Sequence, residues 1–74
     1  MSRLPSLTAR EVIAALKKAG FKEIRQRGSH LHLWHPVRER LVTVPAHARE
    51  LPRGTLKSIV RQSDLAEDEF NDLL

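Results

Sequence analysis

Histidine is the residue type through which this chain of 74 residues could do chemistry: it has four, His30, His32, His35 and His47, and no cysteine. Imidazole changes charge near neutral pH, so it serves proton transfer, metal ligation or plain hydrogen bonding. His30 follows Gly28-Ser29 and opens an alternating run that ends at His35. In an extended strand His30, His32 and Trp34 share one face, while Leu31, Leu33 and His35 take the other. Beside a Gly-Ser turn the His30 ring can face solvent, where it is either a proton carrier or a turn residue making a local hydrogen bond. His32 is a second proton carrier, a ligand contact or a polar residue on an open sheet face. His35 has the parity of the apolar face and is expected to be structural. His47 falls in a loop from which it could reach the same face as His30. Together His30, His32 and His47 offer three imidazoles for a metal. No cysteine accompanies them, and the only carboxylate within residues 28–47 is Glu39, so no metal and no cofactor is expected.

Positive charge surrounds these histidines. All thirteen Lys and Arg but only four of the nine acids lie in residues 1–63, a balance of +9 against −5 for residues 64–74. A body that basic suits a polyanion, most commonly nucleic acid. Arg25 and Arg27 lead into the Gly28-Ser29 turn on one strand face, with Lys22 expected on the other. Arg27, nearest His30 in sequence, is the first candidate to steady charge on a phosphate. Arg53, Lys57 and Arg61 recur every fourth residue and form a ridge on one helix side, either a phosphate contact or a solvated flank. Trp34 offers three readings: stacking on an unpaired base, anchoring a protein partner, or filling part of the core.

The elements that must position these residues are well punctuated. Thr8-Ala9-Arg10-Glu11 has the form of a capping box, with Leu7 and Val12 as its hydrophobic staple. Val12, Ile13, Leu16 and Ala19 recur at helical spacing, and Gly20 stops the helix, so the pattern predicts a helix over 8–19. Strands follow over 22–27 and 29–35 with Gly28-Ser29 between them, then a third over 41–44 bounded by Pro36 and Pro45. Short connections make the three strands an antiparallel meander. After a loop at 46–51, Pro52 suits the start of a second helix whose buried stripe is Leu56, Ile59, Val60 and Ser63. Gly54 early in that helix suggests a close backbone approach. Glu67, Asp68 and Glu69 open a short terminal helix that carries Phe70, Leu73 and Leu74 and has Ala66 as a weak cap. The expected architecture is α+β, in the order α-β-β-β-α plus a terminal helix, with two helices on one face of the sheet.

Several segments together resemble the HicA toxins, mRNA interferases of type II toxin–antitoxin pairs. They are Arg25-Gln26-Arg27-Gly28-Ser29-His30, His35-Pro36, Val42-Thr43-Val44-Pro45, His47 and the run from Leu51 to Gln62. The Gly-Ser-His turn and the Leu-Pro-x-Gly-Thr-Leu segment stand in the right order and spacing, and the likeness covers about residues 8–65. It implies a fold like the double-stranded RNA-binding domain, with three antiparallel strands and helices on one face. It also implies RNA cleavage with the motif histidine, here His30, as catalytic residue, and a HicB-type antitoxin that masks the active face. Gly28, Ser29, His32 and His47 are then possible supporting residues. Arg25, Arg27, Trp34, Arg53, Lys57 and Arg61 are the RNA-binding candidates.

RNA supplies its own nucleophile, the 2′-hydroxyl, so a site of this kind needs a proton acceptor, a proton donor and a cation, without metal. The rival is a non-catalytic RNA-binding module of the same fold, and a third reading is a protein that only docks to a partner. The chain is expected to be a single domain over 1–74, with a core at about 8–65 and an acidic tail at 66–74. Its longest apolar run, Val12 to Leu16, is too short to cross a bilayer. Met1-Ser2-Arg3-Leu4-Pro5 lacks the apolar stretch of a secretory signal, so the expected location is the cytoplasm.

Overall fold

The computed structural model describes residues 4–74. The expectation about a leader rests partly on residues 1–3, which lie outside the described residues. The order is α1 (Ala9–Lys18), β1 (Lys22–Arg27), β2 (His30–His35), β3 (Arg40–Pro45), α2 (Arg53–Ser63) and α3 (Glu67–Asn71). The strands form one antiparallel sheet in the order β1-β2-β3, the α+β meander expected from periodicity.

Local chemistry fixes both ends of α1. The Thr8 hydroxyl accepts from the Glu11 N–H at 3.1 Å, and the Glu11 carboxylate accepts from the Thr8 N–H at 2.9 Å, which closes the capping box. At the other end the Phe21 N–H reaches the Leu16 carbonyl and the Gly20 N–H reaches that of Lys17, both at 3.0 Å. That bond pair is a Schellman motif, and it requires the positive φ of +109° that Gly20 adopts. The chain then returns with Phe21 buried in the core.

The core lies between the helices and two of the strands. Leu31 and Leu33 of β2 and Val42 and Val44 of β3 are buried against Val12, Ala15 and Leu16 of α1 and Leu56, Ile59 and Val60 of α2, with Phe70 of α3 closing one end. The first strand adds nothing to this core, because all six of its residues are exposed. Its register explains how it is used instead. A bulge between Glu23 and Arg25 sets Lys22 opposite Trp34, Arg25 opposite His32 and Arg27 opposite His30. Lys22 therefore joins Arg25 and Arg27 on the histidine face, where simple alternation had put it on the reverse side. The extra residue, Ile24, absorbs the change of parity.

The free edge of β3 is covered by α2. The Thr43 N–H points away from β2 and donates to the Gln62 side-chain oxygen at 3.0 Å. Pro45, two residues on, has the same outward parity, so its missing N–H leaves no donor unsatisfied. Arg40 donates to the Gln62 carbonyl at 3.1 Å and to that of Arg61 at 3.4 Å, and Arg38 donates to the Asp64 carbonyl at 3.1 Å. Two guanidiniums thus satisfy the last carbonyls of α2, the end where positive charge is favoured. In α3 the Glu69 carboxylate accepts from the Ala66 N–H at 3.0 Å; Ala66 has no side-chain acceptor to return the bond, so only half of a capping box forms.

Candidate functional site

The turn before His30 has a positive φ at Gly28, +57°, and none at Ser29, the sign pattern of a type II′ hairpin turn. It aims β2 so that His30 stands on the uncovered sheet face, exposed, with Arg27 directly opposite on β1 and Pro45 opposite on β3. Residues paired across a ladder hold their Cβ atoms about 5 Å apart, so the Arg27 side chain starts within reach of the His30 ring.

On its other side His30 lines a cleft of about 400 Å³ between β3 and α2, with Thr43, Pro45, Gly54, Thr55, Ser58, Ile59 and Gln62. The wall of this cleft is polar and held in place. The Gln62 side-chain oxygen is occupied by Thr43, and its amide nitrogen donates to the Ser58 hydroxyl at 3.3 Å. Ser58 keeps its own O–H to offer. The His32 Nδ1 is 3.1 Å from the Thr43 hydroxyl, so His32 joins the same hydrogen-bond chain and is half-buried by it. A methyl group added at Gly54 would meet nothing within 4 Å. No backbone approaches Gly54, contrary to expectation; its missing side chain leaves room at the cleft instead.

Thr55, Ser58 and Gln62 were not singled out in the sequence, although spacings of three and four put them on one side of a helix. The stronger cationic repeat of Arg53, Lys57 and Arg61 lies beside them and is exposed. Arg53 is engaged at home, donating to the Leu4 carbonyl. Trp34 is half-buried on the open face between Lys22 and Leu41. Leu41 is 48% exposed, so the two side chains make a small apolar patch at the end of the face away from His30.

The other two histidines are elsewhere. His35 accepts from the Arg38 N–H at Nδ1 and is bonded through Nε2 to the Ala19 carbonyl, both at 3.0 Å, with Phe21 edge-on at 5.1 Å. A carbonyl can only accept, so Nε2 donates to Ala19, and with both ring nitrogens engaged His35 has a structural role. His47 is exposed and lines a separate concavity with Thr8, Arg10, Ala46, Ala48 and Arg49. Among the described residues no three His, Cys, Asp or Glu side chains gather as a metal would need.

An uncovered histidine, a cation opposite it and a polar cleft beside it, on a sheet flanked by basic residues, define a small α+β protein equipped to engage phosphates. Residues 9–65 match the family model described as HicA toxin of bacterial toxin-antitoxin, and the chain belongs to that family. A search of curated proteins returned no match. The chain is thus a toxin of a toxin–antitoxin system, and proteins of this family generally cleave mRNA. No helix among the described residues is long and apolar enough to cross a membrane.

Proposed function

We propose that this protein is an endoribonuclease that cleaves mRNA in the cytoplasm without a metal, a single domain over residues 1–74 with its core at about 8–65 and His30 as its catalytic residue. The observation that carries the reading is the position of His30: exposed, at the mouth of a polar cleft, directly across the ladder from Arg27. His30 takes the proton of a ribose 2′-hydroxyl, whose oxygen attacks the adjoining phosphorus. The bond from phosphorus to the 5′-oxygen breaks, that oxygen leaves with a proton from a solvent water, and the protonated His30 returns its proton to solvent. The products are a 2′,3′-cyclic phosphate and a 5′-hydroxyl. Arg27 steadies the charge that builds on the phosphate oxygens. Ser58 offers a hydroxyl donor beside them, and Gly28 and Ser29 hold the ring at its turn. His32, tied to Thr43, is placed to orient the site more than to shuttle protons.

Arg25, Lys57 and Arg61 draw the RNA backbone toward the cleft, Arg53 adds charge while tied to Leu4, and Trp34 stacks on a base further along the strand. A HicB-type antitoxin neutralises the toxin by covering the His30 face. The rival reading, an RNA-binding module without catalysis, leaves His30 no task. Purified protein and its His30→Ala variant, incubated with a single-stranded RNA and with the same RNA bearing 2′-O-methyl groups, separate the two. Cleavage to 5′-hydroxyl ends by the parent only, and only of unmodified RNA, is expected. Equal cleavage by His30→Ala refutes the assignment. Salt-sensitive binding by both proteins with no cleavage by either leaves the inert module.

A further inference from the structure

Beyond the His30 cleft, the concavity beside His47 has a volume of about 360 Å³ and is lined by Thr8, Arg10, Ala46, His47, Ala48 and Arg49. The sequence pattern singled out neither arginine. No carboxylate lines this concavity: Glu11 is held by the Thr8 N–H, and Glu50 lines a different depression next to Leu51. Neither guanidinium takes part in a hydrogen bond or ion pair among the described residues. The Thr8 hydroxyl accepts from Glu11 and so keeps its hydrogen to donate.

The segment that carries these groups is anchored at several points. The Ala46 N–H donates to the Ser29 carbonyl at 2.6 Å, the Ala9 N–H to the Ala48 carbonyl at 2.9 Å, and the Leu51 N–H to the Leu7 carbonyl at 2.9 Å. The cations therefore project from backbone that is already ordered, which lowers the entropic cost of using them. The two depressions adjoin along the chain. Pro45 lines the cleft of His30 and Ala46 lines this one, and the Ala46 bond to Ser29 ties the junction to the catalytic turn.

We propose that Arg10, Arg49 and His47, with the Thr8 hydroxyl, form a second anion subsite that holds a backbone phosphate of the same RNA strand at a nucleotide outside the His30 cleft. This rests on the ribonuclease reading above. Two planar guanidiniums present the forked donors that match phosphate oxygens. The apolar lining is only the methyl groups of Ala46 and Ala48, which offers no pocket for the large side chains that anchor protein interfaces. A polyanion with regularly spaced charges fits both depressions; a single acidic side chain fits one.

The test uses the whole protein and its Arg10→Ala/Arg49→Ala double variant. Both residues are exposed, so the fold should persist, as circular dichroism will report. Binding of a fully 2′-O-methylated single-stranded RNA is followed by anisotropy at several salt concentrations. Loss of one phosphate contact lowers the slope of log K against log salt by about 0.7, and affinity at low salt falls about tenfold. On cleavable RNA, KM rises while kcat holds, and the defect disappears when the substrate is cut to a dinucleotide that cannot reach the subsite. The Arg10→Lys/Arg49→Lys pair keeps the slope. If the parent cleaves RNA but the alanine variant has its slope and KM, the subsite is wrong and the ribonuclease reading stands. If the variant instead loses only its complex with the cognate antitoxin, these cations serve a protein, and the proposal falls. A parent that neither binds nor cleaves RNA sinks both readings.

Discussion

Gly20→Ala tests the junction on which the uncovered face depends. Gly20 ends α1 at φ +109°, a conformation that costs an L residue about 1–3 kcal/mol. A Cβ built there stands 2.7 Å from the His35 Nε2, the atom that bonds the Ala19 carbonyl at 3.0 Å. The ring must shift, and weakening that bond costs a further 0.5–1.5 kcal/mol or so. The sum, about 1.5–4.5 kcal/mol, is a large part of the roughly 4–11 kcal/mol expected for a protein of this length. Urea denaturation should therefore show a much lower midpoint with an unchanged slope. The two contributions separate in a double-mutant cycle with His35→Ala. Without the imidazole, Gly20→Ala should cost only its backbone share, a coupling of about 1 kcal/mol. A cost below about 0.5 kcal/mol in the parent, or the same cost in both backgrounds, refutes the geometry argued for this corner.

Three further substitutions probe the site. Gly54→Ala places a methyl group in open space within α2, so it should raise stability by about 0.5–1 kcal/mol through helix propensity. It should also slow RNA cleavage by narrowing the cleft; equal stability in urea, or unchanged cleavage, contradicts that account. Trp34→Ala should weaken RNA binding by about 1–3 kcal/mol with no change in salt slope. Lys57→Ala should lower that slope by about 0.7; the reverse pattern in a salt titration assigns the two residues wrongly.

Much of this fold was legible because its signals are local. Thr8 and Glu11 announce one end of α1 and Gly20 the other, and each makes the bonds its chemistry suggests. The alternation of Leu31 and Leu33 with His30, His32 and Trp34 gave the two faces of β2 directly. The bulge at Ile24 was not legible, because no glycine, proline or break in hydropathy marks it. Its cause lies in the pairing with β2, and without it the parity of Lys22 came out reversed. The cleft was partly legible. Thr55, Ser58 and Gln62 have a helical spacing of their own, but nothing local says that this side of α2 faces β3. The cationic repeat next to it was the louder pattern. His47 shows the limit most clearly: the loop that carries it is routed by bonds from Ala46 to Ser29 and from Ala9 to Ala48, tertiary contacts that sequence spacing does not contain.

The exposure of β1 connects stability to function in this small protein. A strand with six exposed residues and no buried side chain stays in the sheet through its ladder to β2 and the two-residue turn at Gly28-Ser29, not through the core. The hydrophobic contacts that hold the chain together are gathered under β2 and β3 instead, where α1, α2 and Phe70 can reach them. Freed from packing, the side chains of β1 can be chosen for charge. The bulge uses that freedom: because Ile24 takes up one residue of parity, Lys22, Arg25 and Arg27 all stand beside Trp34, His32 and His30 in a single row. Strict alternation along six residues could place at most three on a face, and those would be Lys22, Ile24 and Gln26 or Glu23, Arg25 and Arg27. Either choice breaks the row, losing both arginines in the first case and the lysine in the second. A bulge on an otherwise uncommitted edge strand is the local change that sets three cations beside the histidine face without moving a core residue.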